Sequence, residues 1–461
     1  MLINFTVKNF KSFNGELILN LSAAKRFRLD DTLPAEAYRL NILPISGIYG
    51  ANGSGKSNLV NAVDFMRRKV IEEYASFPVP FKLDCRSRES EPSSFSVLFI
   101  DNKNIMYHYG FSVCGNEILE EWLSAYYEGR RESILFERIR ENLEEKEFEY
   151  NFGQKFIKST EKGKKSYLDF TTAGLKSTRL LITELAERQG NTAANDVFSW
   201  FRNNLMVIKP GAVYSAIPFA FMVDKEFTDE VTKLLRDMDF DFDGFKISSR
   251  NVDMDYVLSR TANNPEEREK IKTEIEGAEE SFWDSFTNRY AMFHKTADGK
   301  LIEKTLLLKH TRKDGSTAYM TIDEASSGFR RMLDLVILLM NNDRMKNTTV
   351  VIDEIERSLH TVISKKLIEA LKENSTENGC KSQLVFITHD TNLLDLKLLR
   401  RDEIQFMEKD RVTGESHITN FAEFKAVPGL NIEKGYLEGR FGAIPLLHHN
   451  LIWRKHGKKN S

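Results

Sequence analysis

Residues 50–57 read Gly50-Ala51-Asn52-Gly53-Ser54-Gly55-Lys56-Ser57, and this glycine-spaced loop ending in Lys-Ser constrains the fold more than any other segment. Such a loop works only between a buried strand and a helix: the glycines let backbone N–H groups close around phosphates, and the helix N-terminus adds partial positive charge. Both neighbours are present, an apolar run at 42–49 that predicts a strand and a segment 58–69 that predicts a helix. Gly50, Asn52, Gly53, Gly55 and Asn58 are therefore candidate nucleotide contacts. Lys56 is the cation expected to reach the phosphates, and Ser57 is a magnesium ligand. The cofactors expected are ATP and Mg2+.

Two later strands complete that site. The run 348–352 is rich in β-branched residues and has no polar alternation, which predicts a strand buried on both faces, and it ends in Asp353-Glu354. Asp353 is placed to hold magnesium and Glu354 to deprotonate the attacking water as the catalytic base. The run 384–387 predicts a second parallel strand that delivers Thr388 and His389 to the same sheet edge, where open α/β sheets bind ligands. His389 is the candidate γ-phosphate sensor.

Between the loop and the acidic strand stands Ala325-Ser326-Ser327-Gly328-Phe329-Arg330, opening an apolar helix at 332–340. A Ser-x-Gly turn at a helix start is an anion site, or simply a helix cap. The segment resembles the signature motif of ABC-type ATPases, with serine at the first glycine position and phenylalanine in place of the usual glutamine. The resemblance implies that Ser326, Ser327 and Gly328 contact the nucleotide of a second subunit in a head-to-tail dimer, with 355–361 at the two-fold interface. ABC ATPases also carry a magnesium-binding glutamine after the first helix, but the first glutamine in this chain is Gln154. The turn at 80–84 makes Asp84 a candidate substitute ligand.

The opening Leu2-Ile3-Asn4-Phe5-Thr6-Val7-Lys8-Asn9-Phe10-Lys11-Ser12-Phe13 resembles the first strand and turn of RecF, SMC and OLD-type ATPases. That resemblance puts Asn9, Lys11 and Ser12 beside the base and ribose; an ordinary edge hairpin reaching Leu21 is the alternative. The expected fold class is therefore α/β, an ABC-type (RecF/SMC/OLD-like) P-loop ATPase with a mixed sheet core, an antiparallel β flank and a helical insertion. The 269 residues from Ser57 to Ser326 exceed the compact insert of a transporter ATPase.

Three domains are expected: an N-terminal ATPase lobe at 1–170, a mainly helical insertion at 171–293 for oligomer or partner contacts, and a C-terminal ATPase lobe at 294–461. Residues 94–100 and 105–113 alternate about a four-residue turn and predict a hairpin, as do 305–308 and 318–322 about Asp314-Gly315. The charged stretches 128–149 and 158–166 are expected as solvated surface. Asn264 before Pro265 predicts a helix cap, with Ile271, Ile275, Ala278 and Phe282 on one face. Asp237, Asp239, Asp241 and Asp243 alternate before Gly244, but Arg250 stands where a calcium loop needs glutamate, and Phe240 and Phe242 look like strand residues.

Composition adds limits. With 41% hydrophobic and 29% charged residues and a net charge of −2, the chain has ample core and no global nucleic-acid signal, although a local basic face could be hidden in the balance. Cys85, Cys114 and Cys380 form neither a disulfide framework nor a zinc site. No signal peptide or apolar span stands out, and a cytoplasmic location is expected.

Finally, Asp353-Glu354-Ile355-Glu356-Arg357-Ser358-Leu359-His360, the stretch 400–406 and the glycine-rich stretch 435–445 resemble a bacterial group of AAA-labelled, RloA-like ATPases, over essentially the whole chain. Within it, size and architecture resemble the AriA-type ATPases of the PARIS phage-defence system. That resemblance implies an ATP-bound homo-oligomer, a hexamer assembled from dimers, holding an AriB-like nuclease effector and releasing it on meeting a phage-encoded trigger protein, an anti-restriction DNA mimic such as Ocr. For a negative trigger, 162–165 and 454–459 are candidate basic patches. The competing reading is a RecF/SMC-like DNA-repair or DNA-clamping ATPase; a transporter ATPase is opposed by the long insertion.

Overall fold

The three runs that lack polar alternation are strands with every residue buried: Ile45–Tyr49, Thr349–Ile352 and Gln383–Thr388. Burial on both faces explains why they read as continuous apolar sequence. The computed structural model describes residues 1–27, 31–72, 77–84, 91–127, 131–140, 147–160, 163–210, 220–221, 224–284, 290–340, 345–376, 380–425 and 431–442. The chain divides into two compact units, the first from Met1–Lys209, Asp343–Ile355 and Leu371–Ser461, the second from Pro210–Asn342 and Glu356–Ala370.

The first unit holds two sheets. Its mixed six-stranded sheet runs in the order Leu205–Ile208, Thr349–Ile352, Gln383–Thr388, Ile45–Tyr49, Ile404–Lys409, Ser416–Asn420; all pairings are parallel except the last. The seven-stranded sheet is antiparallel throughout and takes the order Glu149–Phe152, Ser133–Ile139, Glu117–Tyr126, Met106–Cys114, Ser93–Ile100, Leu2–Lys8, Leu17–Asn20. Both expected features of the fold class, the mixed core and the antiparallel flank, are present. The helix Lys56–Ile71 buries Leu59, Val60, Val63, Met66 and Val70, spaced to share one face.

The second unit is built on an antiparallel sheet of Gly244–Asn251, Leu301–Thr311, Ala291–Lys295 and Ser281–Asp284, with Thr317–Thr321 also pairing to Leu301–Thr311. The expected hairpin about Gly315, whose φ is +80°, is therefore present with a longer first strand. The structure differs from the expected helical insertion at 171–293. Residues up to 209 belong to the first unit, and Leu205–Ile208 supplies a parallel strand to its core sheet. A four-residue apolar run among helices carries no period by which to tell it from a helical turn.

Three local expectations are corrected. The helix Pro265–Gly277 is capped as foreseen, Asn264 Oδ1 accepting from Glu267 N at 2.8 Å, but it closes at Ala278, and Phe282 lies in the strand Ser281–Asp284. Phe240 and Phe242 lie before the strand that starts at Gly244, and the Asp243 carboxylate accepts from Thr311 Oγ1 at 2.7 Å. The charged stretch 128–149 is not uniformly surface: Arg138 is fully buried in the strand Ser133–Ile139. Cys114 and Cys380 are buried free thiols, whereas Cys85 lies outside the described residues, as do both 162 and the tail 454–459. Among the described residues, no helix is long and apolar enough to cross a membrane.

Arg138 is offset by Glu121, also fully buried, at 3.5 Å. The Glu121 carboxylate accepts from Leu181 N (2.7 Å), Ile182 N (3.1 Å) and Tyr109 OH (3.1 Å), which ties the start of the helix Leu181–Glu187 to the antiparallel sheet. Breaking a buried pair on one side strands the other charge. Glu121→Ala is expected to cost about 3–5 kcal/mol, read as a lowered urea midpoint; an unchanged midpoint would show that the pair contributes nothing.

Candidate functional site

The core sheet positions the site by ending its strands together. Ile45–Tyr49 runs into the glycine loop, Thr349–Ile352 into Asp353-Glu354 and Gln383–Thr388 into His389. Backbone bonds fix the acidic turn between neighbours: Asp353 N donates to Ile208 O at 2.9 Å and Ile355 N to Ile387 O at 3.2 Å. One cleft of about 290 Å³ at this carboxyl edge is lined by Asn52, Gly53 and Gly55 to Asn58 from the loop, by Asp353 and Glu354, and by Ile387, Thr388 and His389. Residues from three separate parts of the sequence thus face one another.

The loop is closed on itself. Lys56 is buried and its ammonium donates to Gly50 O at 2.5 Å and Ala51 O at 2.9 Å. Gly55 has φ +108°, and a Cβ there would collide with Ser416 Oγ and Ser12 Oγ; at Gly50 a Cβ would strike the Met407 carbonyl. Both positions thus require glycine, one of them also for its backbone angle. Ser57 is exposed in the cleft while Asp353 is only 5% exposed. A hydroxyl and a carboxylate are hard oxygen donors, and the pair fits a magnesium ion that takes its remaining ligands from phosphate and water. Glu354 is partly exposed with φ +52°, a backbone state that costs energy outside glycine and clusters at functional sites.

The N-terminal turn is held at the loop, with Asn58 Nδ2 donating to Ser12 Oγ at 2.8 Å and Ser12 packed against Gly55. Lys11 also has positive φ and is partly buried; its N–H donates to Val79 O at 2.7 Å, and burial, with Lys209 nearby, lowers the pKa of its ammonium. Asn9 is a correction. It is fully buried, with its amide donating to Glu91 O at 2.9 Å and its side-chain oxygen accepting from Phe81 N at 3.0 Å. The side chain is committed to the backbone of the turn and does not face a nucleotide. Asp84 is partly exposed and is not among the residues that line this cleft.

In the second unit, Ser326 and Ser327 are exposed at the start of the helix Ser327–Leu339, and Ser326 Oγ accepts from Phe329 N at 3.1 Å. Of the segment 355–361, Arg357, Ser358 and His360 are exposed and Ile355 is buried. Sequence reasoning missed Ser416, which has no local motif, and a second cavity of about 800 Å³ against the loop residues Ala51–Ser54. Its other wall includes Glu408, Glu438, Gly439 and Gly442, so the glycine-rich stretch noted in the sequence reaches the phosphate loop.

A phosphate loop, an acidic pair and a histidine on the carboxyl edge of a largely parallel sheet are the parts of a P-loop nucleotide site of AAA type. Residues 45–395 match the family described as "AAA domain, putative AbiEii toxin, Type IV TA system", and the chain belongs to that family. No curated protein sequence matches it. Similar solved structures include an SMC head domain from Thermotoga maritima (13% identity, 91% of this chain and 98% of that one, TM-score 0.36). The SMC head bound to the C-winged helix domain of ScpA is 16% identical over 91% and 96% of the two chains, with TM-score 0.38. The recombination mediator RecF is 12% identical over 91% and 98%, with TM-score 0.34.

Three substitutions separate contact from scaffold. Lys56→Ala and Gly55→Ala should each weaken binding of a fluorescent ATP analogue by roughly tenfold or more. Asn9→Ala should instead cost about 1–3 kcal/mol of stability while leaving that affinity within about twofold. A large affinity loss in Asn9→Ala would restore it as a nucleotide contact.

Proposed function

We propose that this chain hydrolyses ATP in a head-to-tail homodimer and uses the nucleotide cycle to control a separate toxic effector. The observation that carries the first part is the shared cleft of Lys56, Ser57, Asp353, Glu354 and His389. In this reading Lys56 and the loop N–H groups bind the β- and γ-phosphates, and Ser57 and Asp353 hold the magnesium ion. The ion supplies charge neutralisation at the phosphates. Glu354 orients the attacking water and takes its proton, while His389 donates to the γ-phosphate. Ser326, Ser327 and Gly328 of the second subunit complete the anion site, helped by the positive end of their helix.

The second part is supported by the family description, which names a toxin and a type IV toxin–antitoxin system, and by the sequence resemblance to AriA-type ATPases. The chain would act as the oligomeric sensor and scaffold of a bacterial anti-phage system, holding an AriB-like nuclease and releasing it when a phage-encoded protein docks. Its place of work would be the cytoplasm, and the oligomer a hexamer assembled from dimers.

Glu354→Gln should keep ATP affinity, lose turnover by about 100-fold or more and accumulate as a closed dimer on a sizing column; unchanged turnover would remove Glu354 as the base. The effector role is tested by co-expressing the chain with its neighbouring genes and measuring the mass and composition of the complex with ATP, beside Lys56→Ala. A large assembly that retains a nuclease-like protein supports the sensor. A lone dimer that retains DNA replaces it with a RecF- or SMC-like DNA clamp.

A further inference from the structure

The phenylalanine that departs from the ABC signature has a defined place. Phe329 is 5% exposed, and its ring meets Phe242 at 5.2 Å and Phe240 at 5.5 Å, both nearly perpendicular, with Phe245 at 6.5 Å. Edge-to-face contacts of this kind prefer particular angles, so they orient a ring as well as bury it. The box is anchored in turn: Phe245 packs on Phe221 at 4.7 Å, and Asp243 N donates to Lys309 O at 2.8 Å on the long strand of the sheet. A path of direct contacts thus runs from that sheet through three phenylalanines to the first turn of the helix Ser327–Leu339.

The same residue governs the hydroxyl beside it. Phe329 N–H donates to Ser326 Oγ at 3.1 Å. That bond occupies an acceptor position of the serine, leaving its O–H free to donate outward from an exposed side chain. One residue before Phe329, a Cβ at Gly328 would come within 2.8 Å of the Ser358 carbonyl, so the backbone there packs too closely for any other side chain. Further along the helix, Tyr290 OH donates to Asp334 Oδ1 at 3.1 Å. The helix start is held from two sides, and Phe329 supplies both the ring that seats it and the N–H that aims Ser326.

We propose that Phe329 is a positioning residue for hydrolysis in trans: boxed by Phe240, Phe242 and Phe245, it fixes the helix start so that Ser326 and Gly328 can meet the γ-phosphate held by the loop of a second copy of this chain. This rests on the head-to-tail reading above. A glutamine at this position would seat a polar amide among three phenylalanine rings, which accounts for the departure from the ABC pattern. Misplacement of a positioning group by about 1 Å can cost on the order of 100-fold in rate, so the effect belongs to turnover and not to ATP affinity, which the other unit's loop sets.

The test uses full-length protein. Phe329→Ala should lower kcat by about 100-fold with ATP affinity unchanged, Phe329→Leu should recover part of that loss, and Phe240→Ala, at the partly exposed edge of the box, should show a smaller fall of the same kind. The decisive measurement co-expresses Phe329→Ala with Lys56→Ala under two tags and purifies the mixed assembly through both. Each mixed dimer then has one intact site, an unaltered loop facing an unaltered Ser326 turn, and turnover should return to roughly half of wild type. Ser326→Arg paired with Lys56→Ala is the control. Recovery in the control but not with Phe329→Ala overturns the positioning role and leaves the trans site standing; recovery in neither overturns the trans site, and this proposal with it. Wild-type kcat in Phe329→Ala would also overturn it.

Discussion

The Gln383 amide fills all four of its hydrogen-bonding positions inside the first unit. Its oxygen accepts from Leu2 N and from Thr349 Oγ1, and its nitrogen donates to Leu2 O at 2.9 Å and Leu43 O at 3.1 Å. The side chain begins one core strand, grips a second through Thr349, reaches the residue ahead of Pro44 and Ile45 on a third, and clasps the first strand of the antiparallel sheet. A buried amide left half-satisfied would be costly, so this arrangement tolerates little sliding of one sheet on the other. The far ends of those same strands carry the glycine loop, the acidic pair and His389. A fixed register at one end is what lets three side chains from distant sequence share a cleft at the other.

What was legible in the sequence follows from how local each constraint is. The phosphate loop, the Asp353-Glu354 pair and the strand before His389 could be read because a two-sided buried strand must be apolar throughout and because the loop's glycine spacing is itself a motif, although the atoms that exclude a Cβ at Gly50 and Gly55 belong to Met407, Ser416 and Ser12. The class of fold followed from these and from the N-terminal strand. Asn9 was misread because its type and position fit a nucleotide contact, while the backbone groups that saturate it, Phe81 N and Glu91 O, come from a segment with no pattern of its own. The strand Leu205–Ile208 was too short to show a period. Arg138 was hidden in a run of charges whose average is solvated, although its own environment is a buried carboxylate and an aromatic ring, Phe148, at 3.8 Å.

The second unit shows the same division. Phe240 and Phe242 alternate with aspartates and imitate a strand, yet their spacing serves a ring on a helix more than 80 residues later. The aspartates are left facing outward as a consequence of that packing, and the calcium-loop pattern they suggest is a by-product. Of the two departures from the signature that this segment resembles, Ser327 and Phe329, the second is intelligible once the neighbours of its ring are known.

Gly55 is packed between Ser12 and Ser416, which stand near opposite ends of the sequence. Ser416 N also donates to Ser12 O at 2.8 Å, so the two segments support each other as well as the loop. During synthesis the phosphate loop leaves the ribosome long before the hairpin that braces it, since translation proceeds at about 5–20 residues per second and N-terminal segments emerge first. The loop therefore lacks its final wall until that hairpin has followed it, and a product truncated before Ser416 lacks the contact that packs against Gly55.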